Sequence, residues 1–200
     1  MRVSRKKAAE NRDRIVETAS RMFREGGFEG VGVDAIMKRA GLTHGGFYGH
    51  FGSKDDLVAE AVTRALERGA ENLGRYRNLR DLVAEYLSQH HYADRANGCA
   101  IAALGSDMVR QGEGVRRGLT AHVRVQLDRF ARLLKEGTAA RRRKRAIATL
   151  AGMIGALTLA RAVDDPALSK EILTAARDAF GAQPGDESSG RTVPRHQPRR

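Results

Sequence analysis

V-D-A-I-M-K-R-A-G-L-T-H-G-G-F-Y-G-H-F occupies residues 33–51. Ile36, Met37 and Ala40 fall on one face of a short helix over residues 33–40, and Gly41 ends it. Leu42 and Thr43 turn the chain into a second short helix predicted over residues 44–51. Two short helices around such a turn have the length and spacing of a helix-turn-helix, with its motif at about residues 32–51. That unit seats its second helix in the major groove of DNA.

The residue types around the turn suit that task. Thr43 stands where it would cap the second helix, and its hydroxyl can reach a phosphate. His44, Gly45 and Gly46 form the leading edge, where a helix N-terminus offers free N–H groups to phosphate oxygens. Tyr48 and His50 present polar tips, and Lys54 adds a point charge. Phe47 and Phe51, four apart, are expected to face the core. Each glycine costs roughly 1 kcal/mol of helix propensity relative to alanine. Close approach of backbone to DNA accounts for the Gly45-Gly46 pair; loop tolerance is the blander account.

Working outward, helical periodicity continues on both sides and strand-like alternation is absent. A first helix is predicted over residues 8–24, with Ile15, Ala19, Met22 and Phe23 as its stripe and Gly26-Gly27 as its stop. Ser53 opens a long helix with Asp55 and Asp56 in its first turn. Asn78 caps a helix predicted through residue 91, and further helices follow over residues 99–109, 115–135, 139–163 and 166–180. The expected architecture is all-α, with about nine helices. A three-helix DNA-binding domain over residues 8–70 precedes an antiparallel helical ligand-binding and dimerisation domain over residues 75–180. Residues 181–200, rich in Gly, Pro, Ser and Arg, read as a disordered basic tail.

Composition narrows the partners. The 200 residues carry a formal net charge of +12, which favours an anionic partner, nucleic acid ahead of membrane. Hydrophobic residues make up 41% of the chain, enough for a packed core. The run R-R-R-K-R at residues 141–145 and the tail arginines Arg191, Arg195, Arg199 and Arg200 read as solvated charge. Cys99 is the sole cysteine, so no internal disulfide forms, in keeping with a cytoplasmic location. No apolar stretch matches the roughly 20 residues that span a bilayer, and the basic N-terminus lacks the apolar core of a signal peptide.

The segment from Phe23 to Leu57 resembles the signature of the TetR family of transcriptional regulators. The likeness rests on Phe23, Gly27, Phe28, Ile36, Ala40, Gly41, Phe47, Tyr48, His50, Phe51, Lys54 and Leu57, in order and spacing together. It implies a homodimer on a palindromic operator of double-stranded DNA, usually a repressor, released when a small-molecule effector enters the C-terminal domain. It assigns phosphate contacts to Thr43, Tyr48, His50 and Lys54, and base-facing positions to His44, Gly45 and Gly46. Gly32 stands where relatives often carry a capping Ser or Thr, and a bulkier residue often replaces Gly49. With few side chains left to read bases, specificity leans on His44, Lys38, Arg39 and DNA shape.

In the second half, N-G-C-A-I-A-A-L at residues 97–104 is similar to a G-C-x-x-x-x-L motif of a branch that includes electrophile-sensing repressors. There the matching cysteine can act as a sensor, and Cys99 sits at a predicted helix N-terminus, which favours thiolate. A free cysteine is also among the most buried and inert of residues, and Arg161 takes the place of that branch's partner lysine. Candidate effector contacts are Tyr86, His90, Tyr92, Cys99, Met108, His122 and Met153. His90-His91 point in different directions on a helix and make a poor chelate, so no metal and no cofactor is expected. Dimerisation is expected through the last two helices, where Ala151, Gly152, Gly155 and Ala156 permit close packing and Ile147, Leu150, Ile154 and Leu157 supply apolar area. Two other classes remain: an enzyme using Cys99 with His90 or His91 as base, which no oxyanion-hole or cofactor motif supports, and a nonspecific basic nucleic-acid binder.

Overall fold

The computed structural model describes residues 5–182, and the predicted tail beyond Ala182 lies outside them. Among the described residues every regular element is helical. Helix α1 covers Arg5–Gly26, and Gly27 terminates it with a φ of 73°, a conformation L side chains rarely adopt. Helix α2 covers Val33–Arg39 and ends at Gly41, whose φ is 72°. The second helix of the motif departs from expectation: it is a 3₁₀ helix over His44–Gly49. Three glycines in six residues remove most α-helical propensity, and a 3₁₀ turn is tolerated in such short pieces.

Helix α3, Lys54–Leu73, starts as expected, with Ser53 Oγ accepting from the Asp56 amide at 3.1 Å. The helix predicted from Asn78 to residue 91 is two helices: α4 (Leu79–Tyr86) and α5 (Gln89–Ala93). Ser88 divides them, because its hydroxyl accepts from the His91 amide at 3.1 Å and caps the second piece. Then come α6 (Ala100–Met108), α7 (Glu113–Leu133), α8 (Ala139–Ala162) and α9 (Pro166–Gly181). Asp165 caps α9, and Pro166 occupies its first turn, where no amide is missed.

Two apolar cores result. The first joins α1, α2, the 3₁₀ helix and the start of α3, and also takes Ala100, Leu104 and Met108 from α6 and Val115 from α7. The second lies among α4, α7, α8 and α9 around Leu82, Phe130, Met153 and Leu157. Three side-chain pairs, Arg12–Glu60, Arg64–Asp13 and Arg68–Glu17, brace α1 against α3. By length and composition α8 could cross a bilayer, yet Ala146, Thr149, Leu150, Met153, Leu157 and Ala160 are buried inside this fold.

The residues expected to build a dimer face divide. Leu150, Ala156 and Leu157 are buried in the protomer's own core, so they add no surface to a partner. Gly152 is used internally as well. A Cβ there would come within 2.0 Å of the Phe180 ring, so its bareness lets α9 lie on α8. Ile147 of α8 remains exposed, as do Leu159 of α8 and Leu168 of α9.

Candidate nucleic-acid interface and effector cavity

The reading turn hangs on one anchor. Phe47 is the buried residue of the 3₁₀ helix, stacked on Phe51 at 5.5 Å between ring centroids. The His50 amide closes the turn on the Phe47 carbonyl at 2.8 Å. With Phe47 inward, Tyr48 faces out and is 69% exposed, edge-on to Phe47 at 5.2 Å. His44 is exposed beside it and pairs through Nδ1 with the Asp34 carboxylate. Lys38, Arg39, Thr43 and Gly45 are exposed, while Gly46 and His50 are half-buried. The motif therefore presents Lys38, Arg39, Thr43, His44, Gly45 and Tyr48 to solvent.

Two details correct the expectation. Thr43 makes no capping bond with its side chain. Lys54 is not a free point charge: its ammonium donates to the Phe28 carbonyl at 2.6 Å, which ties the start of α3 to the loop after α1. The glycines gain a sharper reading. A Cβ on Gly45, Gly49 or Gly32 would meet nothing within 4 Å, so the fold itself does not require their bareness. A side chain added there would project into open space. Asp34 was missed by sequence reasoning, since nothing local links it to a histidine ten residues on.

A cavity of about 290 Å³ lies between the C-terminal part of α3 and the helices that follow it. Tyr86, His90, Cys99 and His122 line it, together with His91, Leu66, Leu73 and Ile101. Tyr92, Met108 and Met153 do not line it. Met108 and Met153 are fully buried in the first and second cores, and Tyr92 packs against the second. Helical periodicity marks an inward face but does not separate a core position from a cavity wall.

His91 is the organiser that the sequence did not reveal. Its Nδ1 lies 2.6 Å from the Tyr86 carbonyl and must donate to it. Its Nε2 accepts from the Cys99 amide at 3.0 Å, so the ring is neutral with the proton on Nδ1. Both nitrogens are engaged, which leaves His91 no free site for the Cys99 thiol proton and removes it as the base of a cysteine enzyme. Arg161 donates to the carbonyls of His91 and Tyr92 at 2.5 and 3.1 Å. The Tyr86 hydroxyl is buried without a hydrogen-bond partner, and burial, then the neighbouring Cys99, push its pKa well above the usual phenol value. Among the described residues no group of three His, Cys, Asp or Glu is placed to hold a metal ion.

Burial lowers the pKa of His91, as it does for His122. The unfolded chain, with histidines near 6.5, then binds more protons than the folded one in the window between the folded values and about 6.5. Folding stability is therefore present above that window and falls as the pH drops through it. Protonation of His91 also breaks the bond from the Cys99 amide, worth about 1 kcal/mol. Thermal unfolding is expected to shift down by roughly 2–4 °C for this step between pH 7 and pH 5, and His91→Asn is expected to flatten that part of the profile. An unchanged pH profile in the variant overturns the assignment.

Comparison with known proteins follows the same division. Residues 15–61 match the model of the family described as bacterial regulatory proteins, tetR family. An HTH-type transcriptional regulator of Staphylococcus aureus strain USA300 is 41% identical over 63 residues, which cover 32% of this chain and 34% of that protein. The chain thus aligns with about a third of the length of this relative. Over the whole fold, a TetR-family regulator of Cytophaga hutchinsonii superposes with a TM-score of 0.71 at 19% identity, covering 90% of this chain and 96% of the other. The reduced form of NemR from E. coli superposes with a TM-score of 0.68 at 22% identity, covering 88% and 99%. A TetR regulator of Chloroflexus aurantiacus J-10-FL gives 0.66 at 26%, covering 89% and 98%. Residues 15–61 thus resemble the helix-turn-helix of the tetR family of bacterial regulatory proteins, and the described residues share the all-helical fold of solved TetR-family regulators.

Proposed function

We propose that the chain is a DNA-binding transcriptional regulator, a repressor that leaves its operator when a small molecule occupies the cavity bounded by Tyr86, Cys99 and His122. The carrying observation is the reading turn: a buried Phe47 that turns Tyr48 and His44 outward beside bare, unobstructed glycines. Phosphate contacts fall to Thr43, Tyr48, His50 and Lys54, with Lys54 reaching DNA by leaving the Phe28 carbonyl. His44, Gly45 and Gly46 meet base edges, flanked by Lys38 and Arg39. Residues 8–70 form the DNA-binding part and residues 75–180 the sensing part. Two copies associate through α8 and α9, whose exposed Ile147, Leu159 and Leu168 suit an apolar interface. Selection of duplexes from a random pool, followed by footprinting, tests this. A two-fold symmetric footprint with affinity that falls steeply with salt is expected. A footprint without symmetry, or no enrichment, overturns it.

A second reading has one favourable observation. Cys99 lies half-buried on the cavity wall, where a reactive small molecule would meet its thiol. In this form the repressor senses electrophiles by alkylation of Cys99 and loses its operator. N-ethylmaleimide would release the selected duplex from the wild type and not from Cys99→Ser. Equal responses from both proteins sink this version and leave reversible binding.

A further inference from the structure

Arg24 is a buried cation at the end of α1, remote from the reading turn and outside the cavity lining. Its Nε donates to the Ala96 carbonyl at 2.6 Å, 72 residues away, and its Nη1 donates to Ser20 Oγ at 2.8 Å. Ala96 belongs to the short loop between α5 and α6, and its neighbours Asp94, Asn97 and Gly98 line the cavity. We propose that Arg24 is the positioning residue through which the state of this cavity wall reaches the DNA-reading turn. The proposal rests on the reading that the chain binds duplex DNA.

The loop has little slack. Asn97 Nδ2 and its amide both donate to Asp94 Oδ1, at 2.9 and 3.1 Å. The Cys99 amide is held by His91, and Arg95 donates to the Arg161 carbonyl at 3.2 Å. A Cβ on Gly98 would lie 2.7 Å from the Asp94 carbonyl and 3.0 Å from both Arg161 Nη2 and His91 Nε2. A wall clamped this tightly is expected to switch between two discrete arrangements, in place or displaced, and not to deform by degrees.

Displacement leaves the Arg24 guanidinium short of an acceptor in a buried setting, a costly state for a charge. Burial already opposes its protonated form, and Glu17 supports it. Relief comes from movement of the end of α1. There Phe23 packs edge-on against Phe28 at 5.4 Å, and the Phe28 carbonyl holds Lys54. The path from cavity wall to the first turn of α3 is therefore continuous: loop 94–98, Arg24, Phe23, Phe28, Lys54. Lys54 is also one of the proposed phosphate contacts.

Energetic coupling between two sites is reciprocal, so DNA itself is a sufficient probe of the wall. The experiment is hydrogen–deuterium exchange of the full-length chain with and without the duplex it selects. In the wild type, the duplex is expected to slow exchange of the amides in residues 94–101 by about threefold or more, a coupling of roughly 0.65 kcal/mol or above. Arg24→Met is expected to abolish that change while duplex affinity stays within about threefold, and Arg24→Lys, which keeps a donor, to restore part of it. A structural role alone would lower the melting temperature without touching the response to DNA. A wild type whose residues 94–101 ignore the bound duplex overturns the proposal, as does an Arg24→Met protein that retains the full response. If Arg24→Met does not fold, the wild-type response and Arg24→Lys still decide. Failure to bind any selected duplex sinks the regulator reading itself and is a separate result.

Discussion

Replacing Tyr48 and Lys54 together by alanine is expected to weaken binding of the selected duplex about 10,000-fold at about 0.15 M salt, read by fluorescence anisotropy. Each is assigned one hydrogen bond to a charged phosphate in each protomer, worth about 1.5 kcal/mol, and the four losses of a dimer give about 6 kcal/mol. The two singles separate by salt dependence. Lys54→Ala removes a cation per protomer, so the slope of log affinity against log salt is expected to fall by about 0.9 for each lost contact. Tyr48→Ala removes a neutral donor and is expected to leave the slope alone. Lys54→Ala also leaves the Phe28 carbonyl without its ammonium, so melting is expected to reveal a cost of about 1 kcal/mol that Tyr48→Ala does not share. Tyr48 is 69% exposed and supports no core contact beyond the Phe47 ring edge. Unchanged affinity in the double variant would remove the reading turn from the DNA interface.

The residues that made the first part legible are those whose neighbours are close in sequence. Phe47, Phe51, Gly41 and Ser53 act within a few positions of themselves, so their roles follow from spacing and turn chemistry. Thr43 shows the limit even there: a residue suited to capping was expected to cap, and glycines at Gly45, Gly46 and Gly49 drew the chain into a tighter helix that makes no such bond. Lys54 was legible as a charge but not as a donor to Phe28, because that contact spans 26 residues.

In the second part several of the informative contacts are long-range. Arg161 meets carbonyls 69 and 70 residues away, and Arg24 meets one 72 residues away. No periodicity in either helix announces them. Spacing offers His91 as half of a metal pair with His90 or as a base for Cys99, and not as an acceptor, since that role depends on a loop folding back to offer the Cys99 amide. Met108 and Met153 are among the candidate effector contacts of the sequence. In this fold both fill cores completely, and the cavity is lined instead by Ala100 and Ile101 of α6 with residues of α3 and α4. Small residues on α8 read equally well as a dimer seam or an internal one, and Phe180 over Gly152 decides for the internal one at that position.

Phe47→Ala is the substitution expected to cost most stability among those that touch the reading turn. Truncating a fully buried phenylalanine costs about 3–5 kcal/mol, which for a chain of this size lowers the melting temperature by roughly 10 °C. Phe47 is 1% exposed, stacks on Phe51 and supports Tyr48, and no other residue of the 3₁₀ helix is buried. The loss is therefore expected to fall on DNA binding as well as on folding. Once the anchor is gone, three glycines and two solvent-facing side chains have nothing to hold them in a 3₁₀ turn, and ordering them on DNA costs about 1–2 kcal/mol per residue in backbone entropy. Phe47→Leu keeps an apolar side chain in the site and is expected to cost under about 1.5 kcal/mol, with affinity largely preserved. The contrast separates anchoring from aromatic chemistry. If Phe47→Leu loses the duplex as completely as Phe47→Ala while its melting temperature holds, the ring acts through its contacts with Tyr48 and not through burial. If Phe47→Ala binds normally, the turn is held by DNA and not by the core beneath it.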